Sequence, residues 1–181
     1  MISTLDKINT AVEILRANKG FAAKYNFAKC ILYNLKPPRF RAKKLNFFPI
    51  SSTIYVNTMC NYRCSFCFLI NDDHKGSKKF NLSLERFNEL LEHEFLKYSG
   101  RITLGGGEPF LNKYIFDFIK ILKKNNKVIS IYTNGSLLDR LYDKYMDNQV
   151  NYLNISHYDD KFASLRHIFK RINFDKKRKS I

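Results

Sequence analysis

The sequence contains no tryptophan and no apolar run of the roughly 20 residues that a membrane-spanning helix needs. Residues 1–11 also lack the basic segment and apolar run of a secretion signal. We therefore expect a cytoplasmic chain without a membrane span. Only four of the 181 residues are cysteines, and three of these fall within eight positions. That clustering disfavours a disulfide framework and favours metal binding.

Acidic residues are also scarce. None occurs between Ile14 and Asn71, a stretch that carries ten lysines and arginines, and the formal net charge of the chain is +16. Such a field could attract RNA, an anionic lipid or an acidic substrate. Because Lys, Asn and Ile are abundant throughout the chain, we interpret the charge as a general surface property and do not expect a nucleic-acid partner.

The first 49 residues predict a helical preamble followed by a basic connector. Apolar residues recur with helical spacing in residues 5–15 and again in residues 21–35, and Pro37 and Pro38 should end the second helix. The segment 39–49 is basic. We expect the main domain to occupy residues 50–181.

Within residues 50–181 the pattern alternates between strands and helices. Strands are predicted at 53–58, 101–104, 127–132 and 152–156, and helices at 84–95, 115–122, 138–145 and 162–172, with Ser83 capping the first of these helices. This alternation predicts an α/β fold with a parallel sheet, in which ligands bind at the carboxyl ends of the strands. Polar or glycine-rich segments follow all four strands, at 59–68, 105–109, 133–135 and 157–158.

Three cysteines follow the first predicted strand with the spacing C-x3-C-x2-C, at Cys60, Cys64 and Cys67. Thiolates bind zinc, copper(I) and iron-sulfur clusters, so the spacing alone does not identify the metal. A structural zinc needs a fourth ligand, for which His74 and Cys30 are the nearest candidates, neither at a familiar finger spacing. A 4Fe-4S cluster held by three cysteines would leave one iron with an open position, as a reactive site requires.

The run from Cys60 to Cys67, with the aromatic Phe66 before its last cysteine, resembles the defining motif of the radical S-adenosylmethionine (radical SAM) superfamily. The run from Gly105 to Pro109 resembles the second signature of that family. The segments 133–135 and 156–157 also fit it, and the resemblance extends from about residue 52 to about residue 169. It implies a partial (βα)n barrel, with about four βα units present and an N-terminal helical extension.

The resemblance also implies a set of cofactors and site residues. Cys60, Cys64 and Cys67 would hold a 4Fe-4S cluster, and its open iron would be chelated by S-adenosyl-L-methionine (SAM). Reductive cleavage of SAM would give a 5'-deoxyadenosyl radical that abstracts hydrogen from a substrate that the sequence does not identify. An electron donor such as flavodoxin or ferredoxin would be needed, and no catalytic side chain is assigned. The residues expected to bind the cofactor are Gly105, Gly106, Gly107, Glu108, Asn134 and Ser156, with Glu108 near the SAM ammonium.

The sequence departs from the family in one respect, because the four predicted βα units leave out the last two of the usual core. We therefore expect a core that is truncated after its fourth βα unit, with a second polypeptide as one source of the missing strands. Two alternatives to an active enzyme follow. The chain could be a non-catalytic iron-sulfur or SAM-binding remnant of such an enzyme, or a zinc-stabilised basic RNA-binding module.

Overall fold

A computed structural model of the protein describes residues 11–16, 21–37, 45–67, 69 and 79–156. Its centre is a four-stranded parallel sheet in the order β1-β2-β3-β4. The strands are β1 (Ser51–Asn57), β2 (Arg101–Gly106), β3 (Val128–Thr133) and β4 (Tyr152–Ile155). The predicted α/β fold and parallel sheet are confirmed. Because neighbouring strands run in the same direction, their carboxyl ends lie along one edge.

The helices of the described residues are α1 (Phe21–Leu35), α2 (Leu84–Glu92), α3 (Glu94–Tyr98), α4 (Ile115–Lys124) and α5 (Tyr142–Asp147), with a 3-10 turn at Pro109–Leu111. Residues 11–16 are also helical. The Ser83 side chain accepts a hydrogen bond from the Arg86 amide, which confirms the predicted cap of α2. The helix predicted at 162–172 lies outside the described residues. None of the helices described is long and apolar enough to cross a membrane.

Two predicted helices differ in the structure. The single helix expected over residues 84–95 is interrupted at His93, which has an extended backbone and accepts a hydrogen bond from the Phe95 amide at 3.4 Å through Nδ1. The helix expected from Leu138 begins only at Tyr142. The chain leaves β3 through Gly135, which has a φ of 76°, and the Leu138 amide donates to the Gly135 carbonyl at 3.1 Å. Turns therefore occupy residues 138–141, where the hydrophobic spacing predicts the first part of a helix.

Helix α1 forms as predicted, but its apolar face is not its packing face. Ile31, Leu32 and Leu35 are exposed, whereas Asn26 and Phe27 are buried. Asn26 exchanges two hydrogen bonds with the Phe48 backbone, at 3.1 Å through its Nδ2 and at 2.7 Å through its Oδ1. The helix is thus anchored to the described part of the fold by a polar contact that hydrophobic periodicity does not reveal.

The hydrophobic core lies between the sheet and the helices α2 and α4. Val56, Leu104 and Ile131 are fully buried in three successive strands, and the rings of Phe87 and Phe118 stack above them with centroids 4.2 Å apart. Burying such side chains contributes roughly 1.5–3 kcal/mol each. This core fixes the relative positions of the strands whose carboxyl ends carry the polar segments.

Candidate metal and cofactor site

A cavity of about 230 Å³ opens at the carboxyl edge of the sheet. Segments that follow all four strands contribute to its wall. Its lining consists of Cys60, Tyr62, Cys64, Phe66, Cys67, Gly106, Gly107, Tyr132, Thr133, Asn134 and Ser156. The structure therefore brings together seven of the nine predicted site residues at one cavity, and Gly105 and Glu108 lie outside its lining.

The cysteine loop begins three residues after β1. The Cys67 amide donates to the Cys64 carbonyl at 3.0 Å, and the Tyr62 amide donates to the Cys60 sulfur at 3.4 Å. All three cysteines are free thiols and at least partly exposed. Among the residues that the structure describes, no three His, Cys, Asp or Glu side chains are close enough together to hold a single metal ion. In a 4Fe-4S cluster each cysteine binds a different iron.

The glycine loop at the end of β2 is joined directly to the end of β1 and to Met59, the residue before Cys60. The Gly107 amide donates to the Asn57 carbonyl at 3.0 Å, and the Glu108 amide donates to the Met59 carbonyl at 2.7 Å. The buried Asn57 side chain returns a hydrogen bond from Nδ2 to the Glu108 carbonyl at 2.9 Å. Three hydrogen bonds therefore hold the two sequence motifs side by side.

The structure gives a different reason for the glycines from the one expected. A Cβ at Gly106 would collide with the Asn57 carbonyl, and a Cβ at Gly107 would collide with the Met59 carbonyl. Gly106 also has a φ of 122°, which L-residues rarely adopt. Gly105 has room for a methyl group, whose nearest neighbour would be the Tyr55 ring at 3.6 Å. Two of the three glycines are thus required by the close approach of the backbone of Asn57 and Met59, and their contact with a cofactor remains a prediction.

Glu108 is fully buried beneath the cavity, and its carboxylate is turned toward β3. Oε1 accepts hydrogen bonds from the Thr133 hydroxyl at 2.8 Å and the Phe110 amide at 3.1 Å. Oε2 accepts one from the Asn134 amide at 2.8 Å. Burial raises the pKa of Glu108, and the three donors oppose that rise. The carboxylate therefore fixes the β2 loop against the β3 loop, while its proximity to a SAM ammonium remains a prediction.

Glu108 should make the stability of the protein depend on pH. The pKa of Glu108 in the folded protein lies above the ordinary value of 4.5. The contribution of Glu108 to the free energy of unfolding is therefore fully present below pH 4.5 and is lost as pH rises through the folded pKa. We expect the free energy of unfolding of the wild type, measured relative to Glu108→Gln, to decrease across that window. Urea titrations of both proteins at pH steps from 4.5 to 8 would measure this difference. A difference that increases with pH would contradict the assignment.

Asn134 and Ser156 reach the cavity from β3 and β4. Asn134 directly follows β3 and is 9% exposed, and its Nδ2 lies 3.7 Å from the Cys60 sulfur. The Ser156 amide donates to the Thr133 carbonyl at 2.9 Å, which places Ser156 at the end of β4 beside the same cavity. His74 and His157 lie outside the described residues, and Cys30 lies on α1 and does not line the cavity.

Sequence reasoning missed several residues around this site, among them Tyr132 and Asn61. Tyr132 lines the cavity and is 55% exposed although it lies within a strand, and Asn61 contacts Asn134 across the cysteine loop. Tyr132 is a large aromatic residue just before the polar end of a predicted strand, and that position could have indicated its place at the site. Nothing in the local pattern distinguishes Asn61 from any other polar residue in a loop.

The residues around the cavity fit an iron-sulfur cluster with a small polar ligand. Three thiols supply the sulfur donors that such clusters require, and the Tyr62 amide and the Asn134 side chain donate hydrogen bonds to one of them. Hydrogen bonds to a ligand sulfur are typical of the surroundings that tune a metal centre. The lining also includes Gly106, Gly107 and Ser156, which offer backbone groups and a polar side chain to a small polar ligand.

Comparison with known proteins agrees with this chemistry. The family model described as "Radical SAM superfamily" matches residues 54–180, which is more than half of the chain. The match begins within β1 and includes both the cysteine and the glycine loops.

Three curated relatives are similar to parts of this chain. An S-adenosylmethionine-dependent nucleotide dehydratase of Siniperca chuatsi is 33% identical over 55% of this chain and 28% of its own length. A GTP 3',8-cyclase of Alkaliphilus oremlandii is 28% identical over 64% of this chain and 35% of its own length. A putative glycyl-radical enzyme activating enzyme of Methanocaldococcus jannaschii is 27% identical over 61% of this chain and 40% of its own length. The chain thus spans well under half the length of these relatives. From the family match and this site, the chain belongs to the radical SAM superfamily, whose enzymes use a 4Fe-4S cluster and S-adenosylmethionine.

Proposed function

We propose that this chain is the cluster- and SAM-binding part of a radical SAM enzyme, with Cys60, Cys64 and Cys67 as the cluster ligands. The observation that supports this most directly is that hydrogen bonds join the glycine loop to Asn57 and Met59, immediately before the cysteine loop. Both loops line one cavity at the edge of the sheet where parallel α/β folds bind ligands. Residues 50–181 would form the core, and residues 1–49 an extension to it.

When bound, a reduced cluster supplies the single electron that cleaves SAM and so begins hydrogen abstraction from a substrate. The protein's own residues would hold and orient the reactants. Gly106 and Gly107 bring their backbone to the cavity wall, where it would contact a polar ligand. Ser156 and the backbone carbonyl of Asn134 would bind the polar groups of SAM, and Glu108 would hold the glycine loop in position from below.

Phe66 would cover one side of the bound cluster. Its side chain is 68% exposed and lines the cavity between the last two cysteines. An apolar group at that position would exclude water from the cluster and so alter its potential.

The relatives support an inference about which part of the reaction this segment performs. Their names describe a nucleotide dehydratase, a GTP cyclase and an activator of glycyl-radical enzymes, three different reactions. Because these reactions differ, the part of this chain that resembles each relative is expected to carry the step common to radical SAM enzymes, which is radical generation. Specificity for the substrate, which we leave unassigned, would come from other parts of the protein or from a second polypeptide that supplies further strands.

Anaerobic reconstitution with iron and sulfide tests the proposal. We expect a brown protein with about four irons per chain that forms 5'-deoxyadenosine from SAM when dithionite, or a reduced flavodoxin or ferredoxin, is added. An intact cluster without any product would indicate a binding remnant. A colourless protein with stoichiometric zinc would contradict the proposal and favour the zinc-stabilised module.

A further inference from the structure

Three polar side chains form a closed ring between the cysteine loop and the loop after β3. The Asn134 Nδ2 donates to the Asn61 Oδ1 at 3.0 Å, the Asn61 Nδ2 donates to the Ser136 hydroxyl at 2.8 Å, and that hydroxyl donates to the Asn134 Oδ1 at 2.6 Å. We call this the Asn-Ser ring. It joins segments more than 70 residues apart in sequence, directly beside Cys60.

The direction of every bond in the Asn-Ser ring is fixed by one backbone group. The Ser136 amide, which can only donate, points at the Asn134 Oδ1 at 2.9 Å. The other end of the Asn134 amide must therefore be the Nδ2, facing Asn61 and Cys60. Asn61 then has to present its oxygen to Asn134 and its nitrogen to Ser136.

The ring leaves one hydrogen of the Asn134 Nδ2 available for Cys60. An amide nitrogen carries two hydrogens, and the first is used by Asn61. The second lies on the side of the Cys60 sulfur, 3.7 Å away, a distance typical of hydrogen bonds to sulfur. Because Asn134 is buried and its amide cannot turn without breaking the ring, this donor is held in place before any metal binds.

We propose that Asn134 is a positioning residue, which holds the Cys60 sulfur through this hydrogen bond and raises the reduction potential of the cluster. This inference rests on the proposed function, since it requires a cluster on Cys60. A hydrogen bond to a ligand sulfur favours the reduced state of a cluster, because reduction adds negative charge to the sulfur. Asn61 and Ser136 act only by fixing the orientation of the Asn134 amide.

Redox titration of the reconstituted protein, followed by electron paramagnetic resonance, tests the inference. In Asn134→Ala we expect the ratio of reduced to oxidised cluster at a fixed potential to fall about three- to tenfold. For a one-electron couple this is a shift of about 28–59 mV to more negative potential. Asn134→Asp keeps the acceptor for Ser136 but removes both N–H groups and adds negative charge, so its potential should move in the same direction and at least as far.

Ser136→Ala is the matched control. It also removes two hydrogen bonds of the Asn-Ser ring, but it keeps the Asn134 side chain and the Ser136 amide that orients it. Its potential should stay close to that of the wild type. If both Asn134 variants lose the cluster while remaining folded by circular dichroism and Ser136→Ala retains it, the positioning role is supported.

Two results would overturn this inference without contradicting the proposed function. They are a wild-type potential in Asn134→Ala with the cluster intact, or equal shifts in Asn134→Ala and Ser136→Ala. A wild-type protein that takes up no cluster at all would instead contradict the proposed function, and this inference with it. The two failures are therefore distinguishable by the iron content of the wild type.

Discussion

Cys64→Ala is expected to lose the iron-sulfur chromophore and to lower the yield of 5'-deoxyadenosine by more than about 100-fold. Changes to residues that merely contact a metal ligand commonly cost about 10–100-fold in metal affinity or activity, and removal of a ligand should cost more. The Cys64 carbonyl accepts a hydrogen bond from the Cys67 amide, and this backbone bond is kept in the variant, so the loss would come from the thiol itself. The visible absorbance, the iron and sulfide content and the product yield would measure the effect.

Cys30→Ala supplies the control for Cys64→Ala. Cys30 is also a free thiol, but it lies on α1, where the Asn34 side chain contacts its sulfur at 3.6 Å and burial raises the pKa of the thiol. It does not line the cavity, so the variant should keep its full iron content and activity. Full iron binding by Cys64→Ala, or its loss in Cys30→Ala, would refute the assignment of the ligands.

The sheet and the placement of its loops could be predicted from the sequence because both depend on local pattern. The β-branched residues around Ile54 and Val56 predict a buried strand, and alternation of strands with helices requires parallel pairing. Once the sheet is parallel, the cysteine and glycine loops must lie at the same edge. The proximity of these two motifs therefore followed from topology without any knowledge of side-chain contacts.

The contacts that determine individual roles could not be predicted in this way, because they depend on residues far apart in sequence. The hydrogen bonds that the Glu108 carboxylate accepts from Thr133 and Asn134, at the end of the next strand, have no signal in the sequence. The break at His93 depends on a bond from the Phe95 amide to the imidazole that helical periodicity cannot reveal. The spacing of residues in the sequence predicts which segments lie close together, whereas the individual hydrogen bonds between them are seen only in the structure.

Gly107→Ala is expected to have the second large effect, a loss of about 3 kcal/mol of stability together with loss of the cluster. The added methyl group would collide with the Met59 carbonyl, which itself accepts the Glu108 amide hydrogen bond. Overpacking of this kind costs about 1–3 kcal/mol, and a broken buried hydrogen bond adds about 1–3 kcal/mol. Since the collision would push the cysteine loop away from β2, iron binding should fail as well.

Gly105→Ala tests whether the effect comes from that collision or from any change to the glycine run. At Gly105 a methyl group would only reach ordinary contact with the Tyr55 ring at 3.6 Å, and alanine within a strand restricts the unfolded chain more than glycine does. Its stability should therefore stay the same or rise by about 0.5 kcal/mol. In thermal unfolding we expect Gly107→Ala to melt roughly 6–12 °C below the wild type and Gly105→Ala to melt at or above it. Equal losses in both variants would show that the glycine run needs flexibility throughout and would refute the close approach to Met59 as the reason for Gly107.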